Sequence, residues 1–232
     1  MFKKLFVLAF LLVSLSLDTF SQGMTSGDRM MMKKEISAEE AAKSALNVGG
    51  QMPSFSLRDA NGKTVKSDDL LKQGNLVVVF YRGAWCPFCN LYLRKLQENL
   101  PKIKESGGNL VAISVENPDT SMTVSKKNKL DFTVLSDPNL DVARTFGIVY
   151  QLDAKTDEKY KGYGIDLVKQ NGTVKPELPL SATYIINQTG KIVYAFLEPD
   201  YQKRAEPSVI IETLAKLMKP NQNKMEKASG NK

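Results

Sequence analysis

The stretch from Leu76 to Cys89 constrains this chain more than any other. Leu76-Val77-Val78-Val79-Phe80-Tyr81 is an unbroken β-branched and aromatic run, the composition of a strand buried on both faces. A glycine-containing loop follows, then Cys86-Pro87-Phe88-Cys89, then a segment in which Leu91, Leu93, Leu96, Leu100 and Ile103 mostly suit one buried helix face. A C-x-x-C in that setting sits at a helix N-terminus, where unpaired N–H groups and the positive end of the macrodipole stabilise a thiolate at Cys86. A free thiol titrates near ~8.5, and such a setting lowers it to roughly 3.5–7.5. Pro87 suits a first helical position, which needs no backbone N–H. The two-residue gap brings both sulfurs within disulfide reach on one turn, so that one attacks and the other resolves. Cys86, at the helix mouth, is read as the more exposed, attacking sulfur.

Other uses of the pair are weaker. A purely structural disulfide would close a very small loop and constrain little. A structural zinc needs four ligands, but the sequence has two Cys and no His. A c-type haem attachment needs His after the second Cys, and position 90 is Asn. The absence of His also removes Ser-His and Cys-His catalysis. No nucleotide, flavin or metal site is visible, and no cofactor is expected. Trp85 either packs or forms an apolar wall beside the thiol; the two roles are compatible. Arg82 reads as a surface salt-bridge residue, with positive charge near the thiols as the alternative.

The ends read differently. Met1-Phe2-Lys3-Lys4 is a short basic start, Leu5 to Leu17 is apolar apart from Ser14 and Ser16, and small residues follow at Thr19, Ser21 and Gly23. This is the order of a secretory signal peptide, assigned to residues 1–22. The apolar run falls short of the ~20 residues a membrane-spanning helix needs, and with no Cys near the cleavage region there is no lipoprotein anchor. The mature protein is expected to be periplasmic or secreted, and free of the membrane after cleavage. Residues 23–47 read as a spacer with a short helix, marked by a Ser37/Glu40 capping box, that packs on the domain or floats. Residues 220–232 are a polar tail. The net charge of +7 comes from lysines spread along the chain, which reads as a solvated basic surface rather than a nucleic-acid site.

Between these ends, residues 48–219 read as one domain. Met52 to Leu57 and Lys63 to Val65 flank the hairpin signal Asn61-Gly62. Leu110 to Val115 is a second buried strand, Asp119 to Lys129 a helix, and Phe132 to Leu135 a short strand. Asp137-Pro138 starts a helix expected to run to Gly147, and Pro101 is expected to kink or break the helix after the C-x-x-C. Residues 150–176 are polar and glycine-rich and read as a loop. Ala182 to Ile186 and Ile192 to Phe196 are strands, and Pro207 opens a last helix to about Met218. Alternating strands and helices, then a hairpin and a helix, predict an α/β fold with a central mixed sheet flanked by helices on both faces.

With these residues in view, the chain resembles the thioredoxin-like superfamily on its peroxiredoxin side, the alkyl hydroperoxide reductase/thiol-specific antioxidant or redoxin family. The resemblance covers about Val48 to Met218. It rests on Pro53-x-Phe55-x-Leu57 with Asn61-Gly62, on Val77 to Cys89, and on Thr183-Tyr184-Ile185-Ile186-Asn187 with Gly190. It is most similar to peroxiredoxin-like proteins with a thioredoxin-style C-x-x-C, and implies a thioredoxin-like fold. Carried over by position, the family's peroxidatic Cys falls on Cys89, its Thr on Cys86 and its Pro on Arg82. The family's activating Arg, and the thioredoxin cis-Pro, fall near Ser181, with Pro179 two residues upstream. The resemblance implies a thiol-dependent peroxidase that cycles between dithiol and disulfide and is reset by a thioredoxin-like partner; the signal peptide adds that it is exported. The departures keep a second reading open, a thiol–disulfide oxidoreductase acting on protein disulfides without a peroxide step. A redox-inert binding module that kept the fold is a third.

Overall fold

The apolar runs become the centre of a sheet, and alternation along them sorts the core into two layers. The computed structural model describes residues 35–218; the signal-peptide and tail readings lie outside them. The first element among the described residues, α1 (Ala38–Ser44), starts where the capping box predicts. Glu40 N–H donates to Ser37 Oγ at 3.2 Å, and the Glu40 carboxylate accepts from Ser37 N–H at 3.1 Å. Strands β1 (Ser56–Asp59) and β2 (Thr64–Lys66) pair across the Asn61-Gly62 turn, and α2 (Ser67–Lys72) leads into β3 (Asn75–Tyr81). Helix α3 (Pro87–Glu105) leads to β4 (Gly108–Ser114), α4 (Pro118–Asn128), β5 (Thr133–Ser136) and α5 (Asp141–Thr145). A small two-stranded ladder of β6 (Val149–Gln151) and β7 (Glu177–Pro179) encloses α6 (Ala154–Gly162) and α7 (Leu167–Asn171). Strands β8 (Thr183–Ile186) and β9 (Ile192–Phe196) and helix α8 (Pro207–Met218) complete the described residues.

The main sheet has seven strands in the order β2-β1-β5-β4-β3-β8-β9. β3, β4 and β5 are mutually parallel, and the other pairings are antiparallel. Leu76, Val78 and Phe80 point to one layer with Ala41, Leu70 and Phe146, whereas Val77, Val79 and Tyr81 point to the other with Leu93, Leu96, Ile210 and Leu214. Both layers are helix-covered, which is the expected mixed α/β architecture. The compact unit begins at Ile36. The helix read as part of a spacer is therefore integral: Ala41 is buried in the core, and Leu46 N–H bonds Phe146 O at 3.0 Å.

Three local expectations are corrected. α3 runs through Pro101 for 19 residues without a break. Pro101 is exposed, and Leu100 and Ile103 anchor the helix in the core on either side of it. The helix expected from Asp137 to Gly147 is interrupted, because Asn139 and Leu140 adopt left-handed conformations (φ 64° and 65°). The buried Asp137 carboxylate compensates by accepting the N–H groups of Val142 (3.0 Å) and Ala143 (2.8 Å), which restarts the helix at Asp141. Residues 150–176 are not a loop. Asp153 caps α6 by accepting from Thr156 N–H at 2.9 Å, Asp166 caps α7 at 3.2 Å, and Leu152, Leu167 and Leu178 form a small core of their own.

Candidate functional site

β3 delivers the chain to the site at Tyr81, and α3 departs from it at Pro87, with Cys86 as the N-cap residue (φ −85°, ψ 112°). Residues 82–85 make the turn between them. Gly83 takes φ +146°, and a β-carbon there would stand 2.5 Å from the Trp85 indole nitrogen, so the turn requires glycine. Cys86 N–H donates to Gly83 O at 3.1 Å. Asn90, one turn into α3, clamps the loop: its Nδ2 donates to Ala84 O (2.7 Å) and Cys86 O (3.0 Å), and its Oδ1 accepts from Asn128 of α4 at 2.9 Å. From beyond the end of β4, Glu116 accepts Ala84 N–H with both carboxylate oxygens at 2.9 Å. Burial raises the Glu116 carboxyl to about 7, against the opposing pull of the Ala84 bond.

Both cysteines are free thiols and only 1% exposed, so the expectation of a more exposed Cys86 is corrected. The two sulfurs differ in their electrostatics instead. Cys86 is lowered to about 6, first by a hydrogen bond from the Cys89 thiol, then by the Cys89 backbone N–H and the charges of Arg82 and Arg204, all against burial. Cys89 is pushed well above the ordinary thiol range, first by burial and then by its neighbour Cys86, with Arg204 pulling the other way. One proton is thus shared unequally, leaving Cys86 as thiolate and Cys89 as thiol.

Arg82 is the second correction: it is no surface salt-bridge residue. It is 2% exposed and lies in an aromatic cage, its guanidinium carbon 4.9 Å from the Trp85 ring centroid, 5.6 Å from that of Tyr160 and 4.0 Å from that of Tyr201. It also donates to the Tyr160 hydroxyl. Among the described residues no carboxylate pairs with it, and its Nε has no hydrogen-bond partner. Trp85 both packs and forms a wall, edge-on to Tyr160 at 5.4 Å. Pro87 occupies the first turn of α3. Ser181 lies buried between β7 and β8, its Oγ unpartnered among the described residues, and Pro179 belongs to β7.

Four contributors escaped the sequence reading: Asn90, Glu116, the Tyr160/Tyr201 pair and Arg204. Arg204 comes from the segment between β9 and α8, 115 residues from Cys89, and its Nη2 donates to Cys89 Sγ at 3.5 Å. Beside it opens a groove of about 440 Å³ lined by Phe88, Leu91, Tyr92, Phe196 and Arg204. Among the described residues there is no cluster of side chains that could hold a metal ion. The site is a buried thiolate–thiol pair with a cation beside each sulfur. Such a pair can attack a peroxide or a disulfide and then close on itself.

Comparison with known proteins points the same way. The sequence pattern of the AhpC/TSA family matches residues 48–195. Peroxiredoxin Bcp of Escherichia coli is 33% identical over 103 residues, which span 44% of this chain and 65% of Bcp. A putative peroxiredoxin of Mycobacterium tuberculosis is 28% identical over 150 residues, 65% of this chain and 84% of its own length. In fold, the chain is similar to the crystal structure of peroxidoxin BcpB from M. tuberculosis (TM-score 0.61, 19% identity, 75% of this chain and 99% of that one). It is also similar to AhpC from Enterococcus faecalis (TM-score 0.57, 17% identity, 74% and 93%).

Proposed function

The chain belongs to the AhpC/TSA family, and from that premise we propose that it reduces peroxides through a Cys86–Cys89 dithiol/disulfide cycle. The observation that carries this reading is the opposed acidity of two sulfurs one helical turn apart. The Cys86 thiolate attacks the terminal oxygen of the peroxide. An S–O bond forms, the O–O bond breaks, and the departing oxygen takes up a proton and leaves as an alcohol or water. Cys86 becomes a sulfenic acid. Cys89 then gives up its proton and attacks the Cys86 sulfur; the S–S bond forms, the S–O bond breaks, and water leaves. The dithiol has lost the two electrons that the peroxide gained. A thioredoxin-like dithiol partner returns them by attacking the disulfide.

The attacking sulfur in this scheme is Cys86, although the family's peroxidatic position corresponds to Cys89. Burial and the neighbouring Cys86 keep the proton on Cys89, whereas Cys86 has the Cys89 thiol, the helix mouth and two arginines. The same dithiol also fits a second reading, exchange with protein disulfides, which is favoured by the neutral Ser181 where the family carries its arginine. Residues 1–22 are taken as a cleaved signal, so the reaction is placed outside the cytoplasm.

The test is oxidation of the fully reduced mature protein by hydrogen peroxide and by an alkyl hydroperoxide, beside reduction of insulin disulfides. The proposal expects oxidation far faster than that of a free thiol, with one Cys86–Cys89 disulfide formed per peroxide. A rate no better than a free thiol's, with insulin still reduced, transfers the protein to the second reading.

A further inference from the structure

The mechanism leaves one difficulty. Cys89 must become a nucleophile in the closing step, yet burial and its neighbour hold it as a thiol. We propose that Arg204 is a catalytic residue of that step, supplying from across the fold the positive charge against which Cys89 loses its proton and closes on Cys86. This deepens the proposed function but rests only on its dithiol step, which both readings share.

The geometry is specific. Arg204 Nη2 donates to Cys89 Sγ at 3.5 Å. The guanidinium is held from behind, since Nη1 donates to Lys203 O at 2.7 Å and to Tyr201 O, and it lies 5.8 Å from the Tyr92 ring centroid. Residues 197–206 therefore act as a strap over the dithiol. Tyr201 stacks on Arg82 and meets Phe88 edge-on at 5.8 Å, and Ala205 O accepts from the buried Tyr92 hydroxyl at 2.9 Å. The remaining groups around Cys89 do not supply this charge. Cys86 of the same helix is itself negative before attack. Tyr81 of β3 and Tyr150 of β6 are held protonated by burial. Arg82 directs its charge toward Cys86 and reaches Cys89 only through its backbone N–H. Once Cys86 is converted to a sulfenic acid or a mixed disulfide its negative charge is gone, and Arg204 has a single sulfur to stabilise. The opposition between the two sulfurs is thus released by the first step, and the Arg204 contact becomes most effective when the second must begin. When the Cys89 S–S bond forms, the thiolate charge leaves with the displaced group, and Arg204 is left beside a neutral disulfide.

An aromatic disulfide such as 5,5′-dithiobis(2-nitrobenzoate) separates the two steps without peroxide. Attack by Cys86 releases one coloured thiolate and leaves a mixed disulfide; closure by Cys89 releases the second. In Arg204→Gln the second release is expected to slow about tenfold, the factor that one unit of Cys89 acidity carries. Its pH midpoint should move upward, and the first release should change far less. Arg204→Lys, which keeps the charge, should recover part of the rate and of the midpoint. Lys169→Gln, at an exposed lysine of α7 outside the strap, should change neither phase. An unchanged second release, or both releases slowed equally with no shift in midpoint, overturns the proposal. A protein inert to peroxides but with the expected Arg204→Gln defect loses its peroxidase reading and keeps this one.

Discussion

The two walls of the dithiol site are built in different ways. The near wall, residues 82–90, is one continuous stretch. It makes the turn, the N-cap, the first helical turn and the Asn90 clamp from neighbours in sequence. The far wall is assembled from Glu116 beyond β4, Tyr160 in α6, and Tyr201 and Arg204 in the strap. The near wall favours charge at Cys86 through the Cys89 thiol first and the Cys89 backbone N–H second. Cys89, buried one turn inside, depends on a cation brought by tertiary structure. Two thiols of equal exposure thus differ in acidity: at Cys86 the Cys89 thiol and backbone N–H outweigh burial, whereas at Cys89 the Arg204 charge and the Arg82 backbone N–H do not.

That contrast is broken most decisively at the sulfurs themselves. Cys86→Ser should lower the rate of reaction with peroxide by on the order of a thousandfold, as followed by loss of thiol in stopped flow. Cys89→Ser should keep the first oxidation within reach of wild type and stop at a sulfenic acid that dimedone captures. Equal damage from the two substitutions would remove the distinction between the sulfurs.

On the far wall, Glu116 offers a pH test. Its folded value of about 7 stands above the ordinary 4.5, so the folded protein binds the extra proton between those values. Stability attributable to this group is full below pH ~4.5 and is lost as pH rises toward about 7. Glu116→Gln keeps an acceptor for Ala84 N–H without the charge. It should be more stable than wild type at pH 8, by at most ~3 kcal/mol, and indistinguishable from it near pH 4, in urea unfolding at the two pH values. A constant difference at both would show that the carboxyl is not the titrating group.

The near wall is sharpened by Asn90→Ala. Removing the clamp leaves Ala84 O and Asn128 Nδ2 without that partner and should cost ~2 kcal/mol of stability, read from the urea midpoint at unchanged slope. Smallest is Tyr201→Ala, which removes one face of the Arg82 cage and should cost about 1 kcal/mol. Its more telling readout is faster alkylation of the buried thiols by iodoacetamide, since Tyr201 belongs to the strap that covers them. No change in alkylation would mean that the strap does not control access.

The same contrast sets what could be read before folding. β3, α3 and the C-x-x-C at its mouth were legible because each rests on local signals: β-branched runs, i/i+3/i+4 spacing and Pro87 at the first helical turn. The α1 capping box was equally plain. The helices of residues 150–176 carried signals too, in the caps Asp153 and Asp166, but their polar composition outweighed them. The left-handed Leu140 has no sequence signal, because only its burial in the core makes that conformation worth adopting. Arg82 reads as a surface salt-bridge residue because an arginine ordinarily stays in water; of its aromatic cage only Trp85 is near in sequence, and Tyr160 and Tyr201 are brought in by the fold. Arg204 was one basic residue among many until β9 and α8 brought it to Cys89.

The central claim is that Cys86, not Cys89, carries the thiolate. It is tested most directly by titrating the thiolate absorbance of the fully reduced wild type against pH, with Cys86→Ser in parallel. One thiolate should appear with a midpoint near 6 in the wild type and be missing from Cys86→Ser. A wild type with no thiolate below the ordinary thiol range of about 8.5, or a low-pH step that survives Cys86→Ser, would contradict the account.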